Sequence, residues 1–423
     1  VTFSSTLNSD ATPRDLTIDT GGNTGTILFS GAVGQTNDFD VITITGNLDL
    51  DADIGADDFS AAGATSIAVS GASNLGKDVT TSGTQTYTGA VTLSGEAINL
   101  KGTTIQFGST VAGGTQNLKV EGIMDLNGAM TNVAILEITG ASDIGAEIST
   151  TGTQTYTGAV TLSGAARTLT ATNNSAVLFS STIDGTQDLT VATGGLTTFD
   201  GLVGNTTILG AIDISGDGGL NLDAAIVKAD GSAGAASLDV NGASNLGANV
   251  VTTGAQIYTG ATTVSADISL KNTNNNVTFS STLNSDATPR DLTIDTGGNT
   301  GTILFSGAVG QTNDFDVITI TGNLDLDADI GADDFSAAGA TSIAVSGASN
   351  LGKDVTTSGT QTYTGAVTLS GAARTLTSTT NGAVLFSSTI DGTQDLTVAT
   401  GGLTTFDGLV GNTTILGAID ISG

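Results

Sequence analysis

The chain has 423 residues, 41 of them acidic and 10 basic, for a formal charge of -31, and it has no cysteine, histidine or tryptophan. Such a surface repels nucleic acid and anionic lipid, which excludes them as partners. The missing residue types exclude a disulfide framework, thiolate chemistry and the common histidine-based nucleophile pairs. No run of about 18 apolar residues is present, so no transmembrane helix and no membrane insertion is expected.

In chain order, short segments alternate apolar and polar residues and then stop at glycine. The first is Leu16-Thr17-Ile18-Asp19-Thr20-Gly21-Gly22, followed by Ile42-Thr43-Ile44-Thr45-Gly46, Ile67-Ala68-Val69-Ser70-Gly71 and Val91-Thr92-Leu93-Ser94-Gly95. Leu118-Lys119-Val120-Glu121-Gly122, Ile138-Thr139-Gly140 and Ile212-Asp213-Ile214-Ser215-Gly216 continue the series. A period of two predicts strands with Ile, Val and Leu inward and Thr, Ser and Asp outward. The core is expected to include Ile44, Val69, Val91, Leu93 and Ile214. No apolar stripe of helical period is sustained, and Gly, Thr, Asn and Val are mediocre or poor helix formers.

One phrase organises the chain: Ser82-Gly83-Thr84-Gln85-Thr86-Tyr87-Thr88-Gly89-Ala90-Val91-Thr92-Leu93-Ser94-Gly95. It returns at positions 151–164 and 358–371 and, more loosely, at 253–265, and it carries all four tyrosines, Tyr87, Tyr156, Tyr258 and Tyr363. Residues 1–95 recur unchanged as 277–371, and residues 165–216 recur at 372–423 with three changes, Ala171 to Ser378, Asn173 to Thr380 and Ser175 to Gly382. The phrase divides the chain into cycles 1–95, 96–164, 165–266, 267–371 and 372–423. Of the complete cycles, 96–164 is much shorter than 165–266 and 267–371. A fold that tolerates such variation is modular, as a solenoid is and a closed sandwich is not.

Gly22, Gly46, Gly71, Gly95, Gly122, Gly140 and Gly164 recur at intervals of roughly two dozen positions. That spacing suits one coil of a parallel β-helix per glycine. The expected fold is therefore all-β, a right-handed parallel β-helix of roughly 17–20 coils at about 4.8 Å each, continuous over 1–423 as one solenoid. The opening Val1-Thr2-Phe3 is expected to be part of a longer or processed chain. Both ends are expected to present edges able to pair with further coils.

Four groups of residues invite a chemical reading. Asn47-Leu48-Asp49-Leu50-Asp51-Ala52-Asp53-Ile54-Gly55, repeated at 323–331, places carboxylates at alternate positions, as a Ca²⁺ site requires. Its bland reading is a strand with Leu48, Leu50, Ala52 and Ile54 inward and Asp49, Asp51 and Asp53 in solvent. The four tyrosines read either as sugar-stacking platforms or as packed structural residues. Thr84, Thr86 and Thr88 read either as a flat array of the ice-binding kind or as ordinary strand residues facing water. Asp pairs of the kind used by β-helical polysaccharide hydrolases are possible, but nearly every Asp context is duplicated, which suits a lattice better than a unique cleft. No catalytic, cofactor or metal residue is assigned, and no cofactor is expected, with Ca²⁺ the one alternative.

The tyrosine phrase resembles the repeats of very large bacterial surface proteins of the filamentous-haemagglutinin type. So do Phe179-Ser180-Ser181-Thr182-Ile183-Asp184-Gly185-Thr186-Gln187-Asp188-Leu189-Thr190-Val191 and Thr198-Phe199-Asp200-Gly201-Leu202-Val203-Gly204. The likeness is one of repeat style and spans essentially the whole chain. It implies a right-handed parallel β-helix, export to the cell surface through a partner outer-membrane pore, and a role in adhesion or matrix building. The amino-terminal secretion domain of that family is not part of the sequence. The expected function is thus a non-enzymatic structural and adhesive repeat region outside the bacterial cell. Its partners would be its own coils end to end and glycans or host-surface material. A head-to-tail filament subunit is the second reading, and a polysaccharide-acting β-helix enzyme the third.

Overall fold

A computed structural model of the chain describes residues 1–56, 61–298, 300–331 and 338–423. These fall into two compact units, Val1–Gly201 and Leu202–Gly423. Both are built of parallel strands stacked coil on coil, with no helix among the described residues, and between them they make about 18 turns of β-solenoid.

Each turn of the first unit has three sides. Side A stacks Leu16–Asp19, Phe39–Thr45, Ala64–Val69 and Thr84–Tyr87. Side B stacks Thr2–Phe3, Thr26–Phe29, Asn47–Leu50, Ser73–Leu75 and Val91–Leu93. Side C begins as single bridging residues, Leu7, Val33, Ile54 and Val79, and widens to full strands at Ala97–Phe107, which turns a corner. The first half of that strand pairs with Val79–Thr80 on side C and the second half with Thr84–Tyr87 on side A, across a register shift between Lys101 and Thr104. The second unit repeats the same three sides, lettered here by the sequence it shares with the first.

The period of two produces this arrangement directly. Ile44, Val69, Val91, Leu93 and Ile214 are all at most 2% exposed, while Thr92 between two of them is open to solvent. Each such side chain contributes on the order of 1.5–3 kcal/mol by burial. In-register pairing then stacks like on like, Ile18 on Ile44 and Ile44 on Val69. Corners absorb differences in length: Ile67 meets its partner one turn on at Gln85, whereas Leu16 needs a much longer turn to reach Ile42. At the tight corner after Val203 the chain needs Gly204, whose φ is +68° and whose missing Cβ would collide with the carbonyl oxygen of Gly234.

The glycine beat does not mark one corner. Gly46 and Gly71 follow side A strands, Gly95 follows the side B strand Val91–Leu93, and Gly122 lies inside Asn117–Leu126 where it passes from side C to side A. The repeated tyrosine phrase likewise changes side. Tyr87 is on side A beside Val69, and Tyr156, three full turns and two sides later, is on side C beside Ile138. In the second unit Tyr258 is on side B, and Tyr363, four full turns and two sides later, is on side A. The cycle of the sequence is therefore not a whole number of coils.

Candidate functional site

All four tyrosines are fully buried, so their faces are packed inside and are not open to a sugar. Each begins an aromatic stack that runs up the inside of its own side. Tyr156 lies 5.0 Å from Phe179, which lies 5.5 Å from Phe199. Tyr258 leads to Phe279 and Phe305, Tyr363 to Phe386 and Phe406, and Tyr87 to Phe107. Burial alone pushes the phenol pKa values upward, so the hydroxyls stay protonated.

Each phenol donates to the side-chain oxygen of a buried glutamine two residues back, Gln85, Gln154, Gln256 or Gln361. The glutamine amide in turn donates to a main-chain carbonyl of the coil above, that of Lys101, Thr170, Lys271 or Thr377. A threonine four residues before the glutamine, Thr81, Thr150, Thr252 or Thr357, donates to the carbonyl of the intervening glycine and closes the corner. This Thr-x-Gly-x-Gln-x-Tyr clamp is a structural device that tyrosine-centred reading missed. Its signal was the glutamine at a fixed distance from every tyrosine.

Thr84 and Thr88 are exposed and Thr86 is half-buried, so the three face outward. They do not build a flat threonine face, because Thr86 sits between Ala68 and Gln106 on adjacent coils, and its copy Thr362 between Ala344 and Leu385.

The acidic stretch follows its strand reading closely. Leu48, Leu50 and Ile54 are buried, Ala52 is half-buried at the corner, and Asp49, Asp51 and Asp53 point outward. Two of the three carboxylates serve the next coil: Asp49 accepts from the Asn74 amide at 2.8 Å, and Asp53 from the main-chain N–H of Asp78 at 3.0 Å. Among the described residues no group of three or more carboxylates is arranged to hold a metal ion.

Outward rungs around this stretch form a shallow groove of about 260 Å³, lined by Thr26, Asn47, Asp49, Asn74 and Thr92 on side B. The second unit rebuilds it with Thr302, Asn323, Asp325, Asn350 and Thr368, at about 250 Å³. The Asn350 amide again reaches Asp325 at 2.8 Å. The groove offers carboxylate, amide and hydroxyl groups at strand spacing, a set suited to hydrogen-bonding hydroxyl-rich ligands.

Carboxylates also lie in register on neighbouring coils. Asp125 faces Asp143 and is held by Gln106 and Asn127. Asp213 faces Asp239, whose pKa is raised by burial and then by the Asp213 charge. Neither Asp213 nor Asp239 lines either groove. No protein-family model matches the chain, and no curated protein or solved structure matches it.

Proposed function

We propose that the chain is a structural and adhesive repeat region of an exported bacterial surface protein, working outside the cell as a stiff spacer that presents repeated outer faces. One observation carries this reading: the side B groove around Asp49 and Asn74 is rebuilt, residue for residue, around Asp325 and Asn350. A surface made twice favours weak multivalent contact, in which linked sites gain avidity without any single strong site. The resemblance to filamentous-haemagglutinin-type repeats supports the same conclusion and suggests glycans or host-surface material as the target.

The test is display of the whole chain on a non-adherent bacterium, with adhesion measured on glycan-coated and host-cell surfaces. Adhesion above that of undecorated cells, reduced by Asn74→Ala and reduced further when Asn350→Ala is added, is expected. Adhesion equal to background would overturn the proposal. Continuous fibres of the purified chain in negative stain would favour the filament subunit instead, and release of reducing sugar from a polysaccharide would favour the enzyme.

A further inference from the structure

The duplication supplies an internal comparison at one corner. Residues 53–95 of the first unit and 329–371 of the second are the same sequence, but their continuations differ. The second unit runs on as Gly371-Ala372-Ala373-Arg374, and the first as Gly95-Glu96-Ala97-Ile98. In the second unit the Arg374 side chain is only 6% exposed and sits 3.4 Å from the Asp354 carboxylate, with its Nε donating to the Ala372 carbonyl. In the first unit Ile98 takes that place in the strand and turns inward, 1% exposed.

The Asp78 carboxylate, equivalent to Asp354, keeps its hydrogen bond from the N–H of Asn99, just as Asp354 keeps the one from Thr375. It has no guanidinium in the place of Arg374. Instead it borders a hollow of about 700 Å³ with Asp53, Lys77, Ser94, Glu96 and Gln116. Among the described residues lining this hollow, three carboxylates meet one cation. Burial raises the Asp78 pKa, and the charge of Asp53 adds to the effect. A second hollow of about 380 Å³ shares Asp78 and Ala97 with the first and is lined further by the exposed Ile135 and by Lys119 and Glu137, a pair already joined at 3.5 Å. An anionic corner beside the exposed Ile135 side chain matches a planar cation carried on an aliphatic stem.

We propose that this corner of the first unit binds an alkylguanidinium group, in the role that Arg374 fills for Asp354 in the second. The source is either a free small molecule or an arginine side chain of a partner polypeptide. The whole chain is titrated calorimetrically at low salt with agmatine, with the tripeptide Gly-Arg-Gly, and with tetramethylammonium as a cation that cannot donate hydrogen bonds. Agmatine is expected to bind at one site per chain. Asp78→Asn should weaken it at least tenfold, and Ile98→Arg should abolish it by supplying the missing side chain. Arg374→Ile should open the second corner and raise the stoichiometry to two. Because Ile98→Arg risks misfolding, Asp78→Asn and Arg374→Ile carry the test independently. Binding of agmatine alone supports the site with a free ligand, and binding of the tripeptide as well supports it with a partner arginine. Equal binding of tetramethylammonium, or agmatine binding indifferent to Asp78→Asn and Arg374→Ile, would overturn the proposal in favour of diffuse attraction to the net charge.

Discussion

The phenol of Tyr156 donates a 2.8 Å hydrogen bond to Oε1 of Gln154, two residues back on the same strand, and both side chains are completely buried. The Gln154 amide then spends its protons on the Thr170 carbonyl and the Thr150 hydroxyl, so one side chain ties a strand, a corner and the coil above. Gln154→Leu leaves several of these buried groups unmatched, at about 1–3 kcal/mol each, whereas Tyr156→Phe leaves only the glutamine oxygen. Urea melts are expected to rank Gln154→Leu as the more damaging. The double variant should lose less than the sum of the two, and strict additivity would mean that the pair is not a coupled unit.

Neighbouring residues on one strand should respond in opposite ways to the same charge. Leu93 is 2% exposed and Thr92 faces water. Leu93→Asp forfeits about 1.5–3 kcal/mol of burial and leaves a carboxylate in an apolar interior. Thr92→Asp should be nearly silent. Limited proteolysis reads the contrast, and equal sensitivity of the two variants would reverse the assignment of faces.

The phrase Gly-Ala-Ser occurs four times with its serine turned inward. Ser73, Ser142, Ser244 and Ser349 are 2–3% exposed, and their hydroxyls find no partner among the described residues. A buried hydroxyl without a hydrogen bond costs about 1–3 kcal/mol. Ser73→Ala and Ser349→Ala are therefore expected to raise the unfolding midpoint. A lowered midpoint for both would show that the hydroxyls are satisfied.

Acid should first stabilise the fold and then weaken it. Asp78, Asp239, Asp314 and Asp354 have raised pKa values, with burial the leading cause in each. The folded state therefore holds their protons more tightly than the unfolded chain does. Stability rises as pH falls through the raised values and stops rising below the ordinary 3.8. Glu121 and Asp286 run the other way. At Glu121 burial pushes the pKa up, but hydrogen bonds from Lys119 and Asn99 outweigh it, and at Asp286 the hydrogen bond from Arg290 holds the pKa down. The stability these two add is present above their ordinary values and is lost as pH falls through the lowered ones. Melting temperature against pH should pass through a maximum on the acid side of neutrality, and a steady decline from pH 7 downward would contradict this balance.

Salt should stabilise as well. Stacked carboxylates such as Asp125 and Asp143 face each other on adjacent coils. At about 4.8 Å they repel by roughly 0.9 kcal/mol even at the dielectric of water, well inside a Debye length of about 8 Å. The melting temperature is expected to rise with NaCl, and to rise further with CaCl₂ at equal ionic strength. A flat response to NaCl would refute the screening argument, and equal responses would remove only the preference for Ca²⁺.

The inward faces were readable because alternation decides which side chain points in, and Ile44 or Val69 announces itself. The side on which a phrase falls was not readable, since alternation says nothing about corners, and turns stretch from the short one between Ile67 and Gln85 to the long one between Leu16 and Ile42. The hollow beside Asp78 was hidden for a related reason. Glu96 and Ile98 look ordinary on a strand, and they become informative only when Arg374 is found inserted at the equivalent corner.

Tyr87 and Tyr156 sit in nearly identical phrases separated by three turns and two sides. Recombination between those phrases would excise the length of one cycle and leave an uninterrupted strand pattern. Every downstream rung in the first unit would then move round to the next side, so that Asp184, for example, would leave the face it now occupies. Gain or loss of repeats would alter heading as well as reach. A population of such genes would hold solenoids that present different outer residues on a given side, a source of surface variety that needs no point mutation.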